Sequence, residues 1–197
     1  RAVGLRPGYQ GSSEVGHLNM GAGRVVEQEI VRVDKLIENG ELFRHAALLT
    51  ATEHCRRHGS ALHFMGLLQD QGVHATEEHL YALLEFARRE RLTRVFVHVF
   101  SDGRDTPPRS ALTYIARLER KMAALGVGRI ASVTGRYYAM DRALNWDRIQ
   151  RAYDALVHGT GLRAPSAKAA IEQAYARADA TIAARANGTA PAGTLIE

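Results

Sequence analysis

The sequence predicts an α/β fold, a parallel sheet flanked by helices, and three observations carry that prediction. First, residues 61–68 (ALHFMGLL), 94–100 (RVFVHVF) and 129–134 (RIASVT) are short apolar or β-branched runs of strand length. Second, the stretches between them have helical periodicity, so strand, helix and strand alternate. Two βαβ units in succession imply parallel strands joined by right-handed crossovers. Third, each run is followed just past its C-terminal end by a short polar loop. Those loops carry His74, then Arg104 and Asp105, then Arg136 and Arg142. In an open parallel sheet, ligands sit in the crevice outside the carboxyl ends of the strands. Three such loops bearing imidazole, guanidinium and carboxylate groups are suited to one small anionic ligand.

The elements can be justified in chain order. Residues 11–24 (GSSEVGHLNMGAGR) are dense in glycine, with Ser12 and Ser13 at the entry to a possible helix. A serine there meets free backbone N–H groups and the positive end of the helix dipole, which favours a bound phosphate. An ordinary serine cap explains the same pattern, and the glycine spacing matches neither a Walker loop nor a dinucleotide fingerprint. Near Val26 to Gln28 the glycine-rich strip gives way to continuous helix-forming sequence, where a boundary is expected. Cys55, the one cysteine, falls in a helical stretch and reads as a packed thiol. Thr76 is placed to cap a helix whose first turn holds Glu77 and Glu78 and whose apolar face is Leu80, Leu83, Leu84 and Ala87. Pro107 and Pro108 open the next helix, which runs through Ile115, Leu118 and Met122 to Gly126.

Composition bounds the function classes. The chain has 197 residues, 46% of them hydrophobic, enough for a real core. No apolar run approaches the ~20 residues that span a bilayer, so no membrane partner is expected. The N-terminus has neither an apolar signal region nor an initiator Met. A lone cysteine fits a reducing, cytoplasmic setting. The formal charge is +5 and almost all of the positive residues are arginine, the side chain suited to a bidentate grip on phosphate or carboxylate. These arginines are interleaved with acids and form no aromatic-rich basic stripe, so nucleic acid is not expected as a partner.

The motifs themselves resemble a known family. GSSEVGHLNMGAGR at 11–24, MGLL at 65–68 with Gly72, Val73 and His74, SDGRDTP at 101–107 and GRYYAMDR at 135–142 occur in the order and spacing of cofactor-independent (2,3-bisphosphoglycerate-independent) phosphoglycerate mutases. The likeness persists through residues 146–148 and 152–156 and thins after residue 160. It implies interconversion of 3-phosphoglycerate and 2-phosphoglycerate through a phosphorylated serine, with two divalent metal ions, usually Mn2+. By the resemblance Ser13 is the nucleophile and also a metal ligand, and His74, Arg104, Asp105, Arg136 and Arg142 bind substrate. Residues 1–27 would be a strip of the phosphatase domain with the hinge. Residues 28–197 would be the phosphotransferase domain, C-terminally incomplete, and the protein a monomer.

The arginines would clamp phosphate and carboxylate through charge-assisted hydrogen bonds, while His74 and Asp105 hold hydroxyls or move protons. Plainer roles compete. Asp102 and Asp105 can shape a turn around Gly103 at positive φ, Asp147 and Arg148 read as a helix-face pair, and His17, His45, His54, His58 and His63 lack metal-ligand spacing. Ser12 stands where the family usually has Asn, and no segment matches the family's Asp/His metal clusters or catalytic lysine. The chain is therefore expected to be a fragment, inactive alone. Another phosphomutase or phosphatase of the alkaline-phosphatase superfamily, or a non-catalytic anion-binding domain, are the alternatives.

Overall fold

The computed structural model describes residues 3–9, 11 and 13–186. Three parallel strands, β1 (Leu62–Leu68), β2 (Val95–Ser101) and β3 (Arg129–Gly135), form a sheet in the order β1-β2-β3. Helix α1 (Ser13–Ala22) precedes α2 (Glu29–Glu38), a 3-10 turn at Leu42–Arg44 and α3 (Ala46–His58). The crossovers are α4 (Glu77–Arg89) and α5 (Ala111–Leu125). After β3 come the single turn α6 (Arg136–Ala139), then α7 (Trp146–Val157) and α8 (Ala167–Ala186).

The core follows from alternation in β2. Val95, Val97 and Val99 are each at most 2% exposed and point to one face, where Leu84 and Ala87 of α4 and Ile115, Leu118 and Met122 of α5 pack on them. Burying a side chain of this size is worth about 1.5–3 kcal/mol, so the periodic faces read from sequence are what attach both helices. Ile171 and Tyr175 of α8 complete the cluster, and the Tyr175 hydroxyl accepts the N–H of Ala111 at 3.2 Å in the first turn of α5. Cys55 is buried, as a packed thiol should be.

Pairing of β2 with β3 shifts register between Val97 and His98, whose partners are Ile130 and Ser132. Ala131 is thus an extra residue, a bulge that brings Ser132 opposite His98 and Val133 opposite Val99. Gly126 ends α5 in the left-handed region (φ 65°), and Thr76 is the N-cap of α4, its hydroxyl turned to Glu78.

One element starts later than its sequence suggested. Pro107 and Pro108 do not open α5; they lie in a turn in which the Pro107 carbonyl accepts the Ser110 N–H at 3.0 Å and its hydroxyl at 2.7 Å. Closing that turn places Ser110 as the N-cap and starts the helix at Ala111.

Candidate functional site

All three polar loops sit past the C-terminal ends of adjacent parallel strands, and they converge. His74, Arg104, Asp105, Arg136 and Arg142 line one cavity of about 1170 Å³ that extends along β3 toward the α7–α8 connection. The open-sheet crevice expected from pattern is therefore present and lined by the expected groups.

The loop after β1 is held from behind. Tyr114 donates to Asp70 at 2.7 Å, and Arg117 reaches Asp70 and Glu77, each at 3.0 Å. Burial, with help from Asp70, pushes the Tyr114 phenol up to about 12, so it stays a donor. His74, further along this loop, has its Nε2 3.8 Å from Asp105 Oδ2 and a half-exposed ring.

The loop after β2 turns on Asp102. Its side chain is 1% exposed, and Oδ1 accepts the N–H of Arg104 at 3.1 Å, the N–H of Asp105 at 3.3 Å and Nη1 of Arg136 at 2.6 Å. Gly103 has φ 97°, the positive backbone angle that such a turn needs and that glycine adopts without strain. Burial alone would raise the Asp102 pKa, but the Arg136 guanidinium and the two amides bring it below the usual carboxylate range.

Arg136 heads α6 and donates to Asp105 Oδ2 at 2.7 Å as well as to Asp102. Desolvation opposes its charge, yet the two carboxylates raise its pKa above the ordinary arginine value. It is thus engaged within the protein. Arg104 and Arg142 are exposed, and among the described residues neither guanidinium has an ion pair or hydrogen bond. Both are therefore free to meet an anion, as is Arg177 of α8, which lines the far end of the same cavity.

The Arg142 loop has its own buried carboxylate. Asp141, 5% exposed, accepts the N–H of Ala143 and of Asn145, both at 3.0 Å, the Asn145 amide at 2.8 Å and Arg148 Nη1 at 3.0 Å. Asn145 leads the causes that lower its pKa. Arg148 is therefore not a helix-face partner of Asp147. Its guanidinium bonds Asp141, stacks 4.0 Å above the Tyr137 ring and lines the cavity. Asp141 had not stood out in the sequence; an Asp two residues before one loop amide and four before another, with an Asn at the second, is the Asx-turn signal that finds it.

Ser13 lies elsewhere. It is the first residue of α1, exposed, with Oγ 3.2 Å from His17 Nδ1, and it does not line the cavity. Among the described residues, no group of three or more His, Cys, Asp and Glu is placed to hold a metal ion. A serine hydroxyl beside one imidazole falls short of the donor set a divalent ion takes, so the described residues alone do not fit a metal centre. Nor is any helix of the described residues long and apolar enough to cross a membrane.

The fold and cavity define an α/β domain with an arginine-lined cavity at the carboxyl edge of its sheet. The chain belongs to the family described as the BPG-independent PGAM N-terminus (iPGM_N), whose model matches residues 33–194. It is similar to the 2,3-bisphosphoglycerate-independent phosphoglycerate mutase of Chloroflexus aurantiacus, 58% identical over 175 residues, covering 89% of this chain and 32% of the relative. The enzyme of the same name from Acetivibrio thermocellus is 54% identical over 175 residues, covering 89% and 34%. A solved structure of Leishmania mexicana phosphoglycerate mutase at low cobalt concentration superposes with a TM-score of 0.82 at 36% identity, covering 89% of this chain and 33% of that one. The chain spans about a third of the length of these relatives.

Proposed function

We propose that this chain is the substrate-holding part of a cofactor-independent phosphoglycerate mutase, an isomerase that interconverts 3-phosphoglycerate and 2-phosphoglycerate. The observation that carries this reading is the convergence of His74, Arg104, Asp105, Arg136 and Arg142 on one cavity, with two of these three guanidiniums unpaired among the described residues. Arg104 and Arg142 grip the phosphate and carboxylate of the substrate by charge-assisted hydrogen bonds. Arg136 holds Asp105 in place, and Asp105 with His74 engages the glycerate hydroxyls or carries a proton between them. The domain's task is to keep the glycerate in place while its phosphate is lost from one oxygen and returned to the other. A phosphatase has no need of that task.

Ser13 is the proposed acceptor of the phosphoryl group, on an N-terminal strip (residues 1–27) distinct from the substrate-holding residues 28–197. Its exposed hydroxyl at the start of α1 supports the reading, since free amides there favour a bound phosphate. The divalent metal ions of such an enzyme, two Mn2+ by the resemblance, call for donors beyond the described residues. The protein is proposed to act as a cytoplasmic monomer on its small-molecule substrate alone.

Calorimetric titration of 3-phosphoglycerate into the 197-residue chain tests the site. Losing one charge-assisted hydrogen bond, worth on the order of 1.5–3 kcal/mol, should weaken binding by about tenfold or more in Arg104→Ala and in Arg142→Ala. Unchanged affinity in both variants overturns the reading.

A further inference from the structure

We infer that Asp102 is a positioning residue for the anion site, acting through a single carboxylate oxygen on groups that meet the ligand. This rests on the proposed reading of the cavity as a phosphoglycerate site and deepens it.

The three hydrogen bonds to Asp102 all go to Oδ1: the amides of Arg104 and Asp105, and Nη1 of Arg136. Oδ2 is buried and, among the described residues, has no donor at all. An unpaired buried acceptor is unfavourable, so whatever this carboxylate contributes it contributes through Oδ1. What Oδ1 does achieve is geometric. It closes the turn at Gly103 and thereby fixes the backbone from which Arg104 and Asp105 project. Through Arg136 it also ties that turn to the start of α6, whose guanidinium reaches Asp105 from the other side. Two loops on neighbouring strands thus meet at one atom.

Asp102 itself cannot touch a ligand in this arrangement, because its side chain is 1% exposed. Its contribution is preorganisation: a turn already closed loses less conformational freedom when the anion arrives. The ionised state is not required by the three donors, since each needs only an acceptor at Oδ1. An amide oxygen in the same place keeps all three bonds, while the amide nitrogen at the buried Oδ2 position and the lost charge facing Arg136 lower stability rather than open the turn.

This gives a rescue test in the full 197-residue chain. Asp102→Ala removes the acceptor. The amides of Arg104 and Asp105 should then exchange at least roughly tenfold faster, and affinity for 3-phosphoglycerate should fall about tenfold. Asp102→Asn keeps an oxygen at Oδ1 and should restore both readouts to within about threefold of the parent. A merely structural aspartate would lower the melting temperature in Asp102→Ala without speeding exchange at these two amides ahead of the rest of the sheet. Parent-like exchange and affinity in Asp102→Ala overturns the inference, as does an Asn variant that folds but recovers neither. Should Asp102→Ala not fold, Arg136→Gln reads the same junction from its other end. Faster exchange of the same two amides supports the inference, and unchanged exchange overturns it. If the parent gives no heat with 3-phosphoglycerate, the proposed function fails, and the exchange rates alone then decide whether Oδ1 holds the turn.

Discussion

Nε2 of His98 lies 2.9 Å from Nδ1 of His63, so a buried and an exposed imidazole on neighbouring strands share one hydrogen bond. The other nitrogen of His98 meets Ser132 Oγ at 2.8 Å, a contact that the bulge at Ala131 makes possible. Burial, and then the neighbouring imidazole, lower the His98 pKa.

That lowering fixes the direction of a pH effect. Near pH 6 the unfolded chain binds a proton that folded His98 refuses, so stability rises with pH in this window and falls as the solution is acidified below about 6.5. The slope from one such group is at most about 1.4 kcal/mol per pH unit. Asp34 and Asp102, whose pKa values are lowered, lose their contribution only at more acidic pH, as they protonate. Melting temperatures between pH 7 and 5 should therefore fall in the parent and fall less in His98→Gln. Equal slopes would mean that His98 is not the group responsible.

Leu118 on α5 is fully buried against the valines of β2. Truncation to alanine removes that packing and leaves a cavity, with an expected loss of about 2–5 kcal/mol. Urea denaturation gives the number directly, and a loss below about 1 kcal/mol would contradict the packing described.

Leu144 has φ 62° and is 75% exposed, a left-handed leucine in the Arg142 loop. Strain of this kind is typically about 1–2 kcal/mol, and little apolar burial would be forfeited on removing the side chain. Leu144→Gly should leave stability unchanged or raise it by up to about 1 kcal/mol, the gain being offset in part by the greater freedom of glycine when unfolded. A clear destabilisation in a thermal melt would show that the side chain makes a contact that matters.

Ser13 has His17 beside it and no further metal donors assembled among the described residues. Adding Mn2+ to the 197-residue chain should accordingly produce no conversion of 3-phosphoglycerate in a coupled assay. Manganese-dependent turnover by this chain alone would refute the account of it as the substrate-holding part.

Much of this architecture is legible from local pattern. The strands fall within a residue of the runs at 61–68, 94–100 and 129–134, because short β-branched segments bounded by helical periodicity have few other solutions. The α4 and α5 faces are visible as steps of three and four, and Gly126 ends α5 where its φ of 65° suits glycine. The resemblance and the loop pattern pointed to the same five residues, and those five line one cavity.

What local pattern could not decide is where each charged side chain goes within that cavity. Arg136 and Asp102 are 34 residues apart, and nothing near either one announces that a guanidinium expected to face a ligand is shared between two carboxylates. Arg148 has Asp147 beside it in sequence and bonds Asp141 instead, because the loop has already turned that carboxylate inward to accept two amides. The start of α5 moved for the same kind of reason, a turn closed by Ser110 on Pro107. By itself the sequence determined the strands, the helix faces and the chemical character of the three loops, since those depend on periodicity and residue type. Only the tertiary structure decided which arginines are free and which are held, because that depends on loops from different strands being brought side by side.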